Sequence, residues 1–110
     1  MRVYNVTVHV EPGIEDAWLE YMLNRHIPDV INTGCFIQAR ISKLDSNQDQ
    51  AGISFSIQYT AESKEKLMHY HQNFAPNLQA EHLKKFGQKC LAFRTEMEVI
   101  ANFVLNSNHD

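Results

Sequence analysis

Residues 52 to 60 alternate without a break: Ile53, Phe55, Ile57 and Tyr59 oppose Ser54, Ser56, Gln58 and Thr60. Successive side chains of a strand point to opposite faces, so this segment is buried on one side only. Three further segments follow the same rule. Tyr4, Val6, Val8 and Val10 oppose Asn5, Thr7 and His9 in residues 2–10. Cys35, Ile37, Ala39 and Ile41 oppose Gln38, Arg40 and Ser42 in residues 35–44. Leu91, Phe93, Met97 and Val99 oppose Arg94, Glu96 and Glu98 in residues 90–100. Four strands, each with one dry face, require a cover for that face alone.

Two helical segments supply the cover. Ile14, Ala17, Trp18, Tyr21, Met22 and Arg25 form one stripe, with Glu15 and Asp16 in the first turn, where acids complement the helix dipole. Pro28 disfavours helical geometry at Ile27, which predicts a helix end there and a short turn from Pro28 to Asn32, closed by Gly34. Ser63 is placed to cap a second helix with the stripe Leu67, Tyr70, His71, Phe74 and Leu78. Pro76 interrupts it, and a further helical segment runs to Phe86 and stops at Gly87. The polar run from Asp45 to Gln50 is predicted to be a hairpin loop between the second and third strands.

The resulting order is βαββαβ. Helices on one face of a four-stranded antiparallel sheet give an α+β two-layer sandwich, and right-handed crossovers favour the ferredoxin-like strand order 4-1-3-2. Residues 1–100 are expected to form the domain and residues 101–110 a C-terminal tail. At 110 residues the chain suits one domain. A net charge of −3 argues against nucleic acid as a partner, and no apolar run is long enough to span a bilayer. Met1-Arg2 leads straight into the first strand without an apolar leader, which predicts a cytoplasmic protein with Cys35 and Cys90 as free thiols. In the 4-1-3-2 order these cysteines fall on opposite edges of the sheet, too far apart to bridge.

The second sheet face carries Asn5, Thr7, His9, Gln38, Arg40, Ser54, Ser56, Gln58, Arg94, Glu96 and Glu98 in this phase. It is either a solvated face or a wet, polar interface between two sheets. The third strand has hydroxyl and amide groups and no lysine or glutamate on that side, which favours a homodimer joined through the polar sheet face. GISFSIQY, from Gly52, echoes an RNA-recognition strand. Its Phe55 and Tyr59 are in phase with Ile53 and Ile57, however, so they face the helices and not RNA.

Four segments carry a family resemblance: YNVTVHV from Tyr4, WLEYMLNRHIPDVINTGCF from Trp18, SIQYTAES from Ser56, and FAPNLQAEHLKKFGQKCLAFRTEMEV from Phe74. Together they resemble a family of bacterial proteins of about a hundred residues known only as a domain of unknown function. The resemblance implies a ferredoxin-like fold of the dimeric α/β-barrel kind and supplies no activity. The tail after Ile100 departs from the pattern. A looser resemblance, to the antibiotic-biosynthesis monooxygenases, rests on His26-Ile27-Pro28, then Gly34 and a strand containing Arg40. It implies a histidine beside a pocket between helices and sheet.

The candidate catalytic residues are His26 and His82, one near the end of each helical segment. Each is either structural or a general acid–base, since imidazole titrates near neutrality. Arg40 and Arg94 are candidates for holding an anionic substrate, with cross-strand pairing to Glu96 or Glu98 as the alternative. Trp18 is first a core residue and second a substrate contact. Glu65 and His69 are one helical turn apart, but two ligands do not make a metal site, and neither a metal nor a cofactor is expected. Three functions remain open at this level. One is a small-molecule-binding dimer of unknown role, another a cofactor-free monooxygenase or isomerase, and the third a structural or interaction dimer without ligand.

Overall fold

The computed structural model describes residues 1–45 and 51–106. Among the described residues there are four strands: β1 (Arg2–Val10), β2 (Gln38–Lys43), β3 (Ile53–Ala61) and β4 (Cys90–Glu98). The helices are α1 (Glu15–Tyr21), α2 (Ile27–Asn32), α3 (Lys64–Asn73) and α4 (Ala75–Phe86). All strand pairs are antiparallel, and the sheet order β2-β3-β1-β4 is the expected ferredoxin-like order read from the other edge. The loop expected over Asp45–Gln50 lies, apart from Asp45, outside the described residues.

One face of the sheet is dry. Tyr4, Val8 and Val10 of β1 and Phe55, Ile57 and Tyr59 of β3 pack against Trp18, Met22 and Val30 from the first helical segment and Leu67, Tyr70 and Phe86 from the second. Phe55 and Tyr59 therefore face the helices, as their phase requires. Ser63 caps α3 by accepting a hydrogen bond from the Lys66 N–H at 3.2 Å. Pro76 sits in the first turn of α4, after a joint at Phe74 (φ −124°, ψ −39°). Gly87, at φ 59°, ends α4 in a conformation that favours glycine. Among the described residues, no helix is long and apolar enough to cross a membrane.

The structure corrects three local expectations. First, the helix does not end before Pro28. Ile27 is helical (φ −63°, ψ −45°), and α2 runs through Pro28 to Asn32. The turn between α1 and α2, Met22–His26, is a π turn in which the Ile27 N–H reaches back to the Met22 carbonyl. A widened turn relaxes the crowding that a proline ring imposes on the preceding turn. It also settles the helix phase. Trp18, Met22, His26 and Val30 stand four residues apart, and in a regular helix each such step drifts by about 40°. The wide turn takes the drift back, so Trp18, Met22 and Val30 are all buried and His26 still faces inward.

Second, β2 begins at Gln38 and not at Cys35. Cys35 and Phe36 are both buried, while Ile37 is 53% exposed. The chain leaves α2 through Gly34 and enters the sheet only when the Ile37 N–H meets the Thr60 carbonyl, so alternation starts later than the apolar pattern implies.

Third, β4 has the opposite phase. Residues directly opposite in an antiparallel pair share a face. Val6 stands opposite Arg94, Val8 opposite Ala92 and Tyr4 opposite Glu96, which puts Arg94 and Glu96 on the helix side. Leu91 (59% exposed), Phe93 (60% exposed) and Met97 are left on the open face. Small Cys90 and Ala92 fit under the helices, and the large apolar groups are turned outward. Phe93 is therefore not a core residue. The side-chain contacts follow the true phase: Glu96 is hydrogen-bonded with His71 at 3.1 Å and Glu98 pairs with Arg2 at 3.9 Å, neither pairing with Arg40 or Arg94.

Candidate functional site

The helix layer and the sheet do not close completely on each other. Between them lies a cavity of about 60 Å³, room for about four waters. Val6 and Val8 of β1, Ile57 of β3 and Ala92 of β4 form its apolar floor, with Met22 from the π turn above. Its polar groups come from the π turn, α3 and α4: His26 from the π turn, Tyr70 from α3, and Gln79 and His82 from α4, joined by Tyr4, Tyr59 and Arg94 from the sheet.

The two histidines meet here, with ring centroids 5.9 Å apart in an edge-to-face arrangement. The Trp18 indole N–H donates to His82 Nε2 at 2.9 Å. An indole nitrogen can only donate, so His82 Nε2 must accept, and its proton belongs on Nδ1. Burial lowers the pKa of His82 to about 4, helped by His26 and then Arg94. Burial also lowers the pKa of His26; Asp29 opposes the shift and Arg94 adds to it. Both rings are therefore neutral at pH 7. His26 Nδ1 is buried and, among the described residues, has no hydrogen-bond partner.

Burial raises the pKa of the Tyr4 phenol, against the charge and hydrogen bond of Arg94. Tyr59 and Tyr70 are raised further by burial, so all three phenols keep their protons at neutral pH. Arg94 is exposed at the cavity's mouth, on the edge strand. Among the described residues, no carboxylate pairs with it.

Of the residues singled out from sequence, the fold brings together His26, His82 and Arg94. Arg40 lies on the opposite sheet face, beside Gln58 and the start of the tail. Trp18 is fully buried and outside the cavity lining; its indole N–H reaches the site by its bond to His82. Tyr4, Tyr70 and Gln79 were not foreseen. Tyr4 and Tyr70 carried a signal, because a phenol in a dry phase needs a polar neighbour. Gln79 carried none. The thiols are free and outside the cavity lining, and burial pushes Cys90 up to about 11, which leaves it unreactive.

No curated protein matches the chain. Solved structures match its fold. A dimeric ferredoxin-like protein from an uncultured marine organism is 18% identical with a TM-score of 0.70, over 96% of this chain and 100% of its own. A proposed antibiotic biosynthesis monooxygenase from Bacillus cereus is 14% identical with a TM-score of 0.66, over 94% and 97%. SnoaB, a cofactor-independent oxygenase from Streptomyces nogalater, is 9% identical with a TM-score of 0.59, over 92% and 95%. At such identities the likeness shows the fold alone. The family assignment comes from sequence: residues 1–100 match the model described as Domain of unknown function (DUF4286), and the chain belongs to that family.

Proposed function

We propose that this protein is a small homodimer that binds a small molecule in the cavity between helices and sheet. The observation that carries the reading is His26 Nδ1, a buried polar atom without a partner that belongs to a cavity-lining residue. Buried polar atoms are ordinarily paired, and leaving one unpaired costs stability, so such an atom at a cavity points to a ligand. The test is an NMR titration of the histidine ring signals with a library of small metabolites. A binder should shift His26 and His82, and His26→Phe should weaken it by about tenfold or more through the lost hydrogen bond. The same substitution should keep or raise the melting temperature, because it removes an unpaired polar group. If no compound moves either ring, the cavity is a packing feature and the ligand-free structural dimer becomes the better reading.

The dimer uses the open sheet face. Its polar centre is already satisfied within one chain: the Ser56 hydroxyl donates to Asn5 Oδ1 at 2.6 Å, the Asn5 amide donates to Thr7 Oγ1 at 3.1 Å, and His9 bonds Ser54 at 2.9 Å. These bonds lower the cost of burying that centre, and Leu91, Phe93 and Met97 supply apolar contact beside it. Ile100, at the end of the domain, and Phe103, Val104 and Leu105 of the tail are also exposed. The dimeric ferredoxin-like relative supports this assembly. Sedimentation at micromolar concentration should give a dimer for the wild type and a largely monomeric Phe93→Glu, since a charge buried unpaired at an interface is costly. A monomeric wild type overturns the dimer.

A second reading, a cofactor-free monooxygenase or isomerase, is favoured by one observation. His26 is held neutral in the cavity with a ring nitrogen that, among the described residues, has no partner, and a neutral imidazole with a free lone pair can take a proton. The fold likeness to SnoaB is consistent with it.

A further inference from the structure

We infer that the cavity takes a short-chain monocarboxylate, with Arg94 as its anchor; this inference rests on the ligand reading above. The cavity is lined by one guanidinium and by groups that donate hydrogen bonds, with no carboxylate among its lining residues. His82 has its Nε2 committed to the Trp18 N–H, which leaves Nδ1–H as a donor. The phenols of Tyr4 and Tyr70 and the amide of Gln79 can donate as well. An acceptor-rich, negatively charged ligand is what such a set recognises, and an arginine fork fits a carboxylate with two parallel bonds.

The carboxylates that act on the lining, Asp29 on His26 and Glu96 on Tyr4, lie outside it. Glu96 stands two residues beyond Arg94 on the same face and is held by His71 at 3.1 Å. Among the described residues, Arg94 pairs with no carboxylate; its partner there is the Tyr4 phenol. The rest of the lining sets the other end of the ligand. Val6, Val8, Met22, Ile57 and Ala92 are apolar, and about 60 Å³ limits the occupant to a few heavy atoms. A carboxylate head at Arg94 and an aliphatic tail of a few carbons over the floor satisfy both constraints.

The experiment compares butyrate with butyramide, which has nearly the same shape without the charge. Binding is followed by the Met22 methyl signal and the His26 and His82 ring signals, in the wild type and in Arg94→Gln. Butyrate should shift these signals in the wild type, butyramide should not, and Arg94→Gln should weaken butyrate by about tenfold or more while the spectrum stays folded. Equal binding of acid and amide, or an Arg94→Gln variant that binds butyrate as well as the wild type, overturns the carboxylate assignment and leaves the ligand reading standing. Silence toward butyrate overturns the assignment too. The metabolite titration of His26 then decides whether the ligand reading falls with it.

Discussion

Trp18→Ala should cost about 3–5 kcal/mol and leave little folded protein, because it removes the largest fully buried side chain and opens a hole that cannot refill. Total stabilities run to only about 5–15 kcal/mol, so the loss is a large share. Trp18 has no exposed surface and lies over Phe55, with ring centroids 4.8 Å apart. Urea denaturation followed by circular dichroism measures the loss. Trp18→Phe separates packing from hydrogen bonding. It retains a ring in the core and removes the N–H that donates to His82. A donor that binds the neutral imidazole holds its pKa down, so losing it should raise the pKa of His82 above about 4. An NMR pH titration of the His82 ring reads this directly. An unchanged value would show that burial, with His26 and Arg94, keeps His82 neutral without the Trp18 bond.

The second large effect is a loss of stability in mild acid. His82 titrates at about 4 in the folded protein against 6.5 in an unfolded chain, and His26 is shifted in the same direction. Between those values the unfolded chain takes up protons that the folded one refuses, so acid favours unfolding. The stabilisation is therefore complete above pH 6.5 and is lost as pH falls from 6.5 toward 4. A shift of this size corresponds to about 3 kcal/mol at about 1.4 kcal/mol per unit. His82 is partly open to water, and screening reduces its share to about 2 kcal/mol. Urea midpoints at pH 7.5 and pH 4.5 should differ accordingly, the acidic one being lower. Equal midpoints, or a rise toward pH 5, would mean that the rings are not held neutral by the fold.

The sheet was legible because its two central strands, β1 and β3, alternate cleanly and have one possible dry face each. β4 was not. Its apolar residues, Leu91, Phe93 and Met97, are larger than Cys90 and Ala92, so hydrophobicity alone turns them inward. The sequence pattern counts burial without saying what does the burying, and a strand that shows large apolar groups on its open face inverts the signal. That one inversion moved Arg94 from the open face to the cavity and left Arg40 behind. The meeting of His26 and His82 was out of reach for a different reason. It depends on how two helical segments lie across a sheet, and on a π turn that a proline made look like a helix end.

That turn bears on how relatives should be compared. A π turn closes each hydrogen-bonded loop over one residue more than an α turn, which changes what faces inward after it. A relative lacking one residue between Tyr21 and His26 would keep the sheet and the helices, yet present a neighbouring side chain to the cavity. Two chains could then share a histidine–proline pair in an alignment and differ in whether that histidine ever meets a ligand. Membership of the fold and possession of the site are separate characters here, divided by a single residue of helix phase.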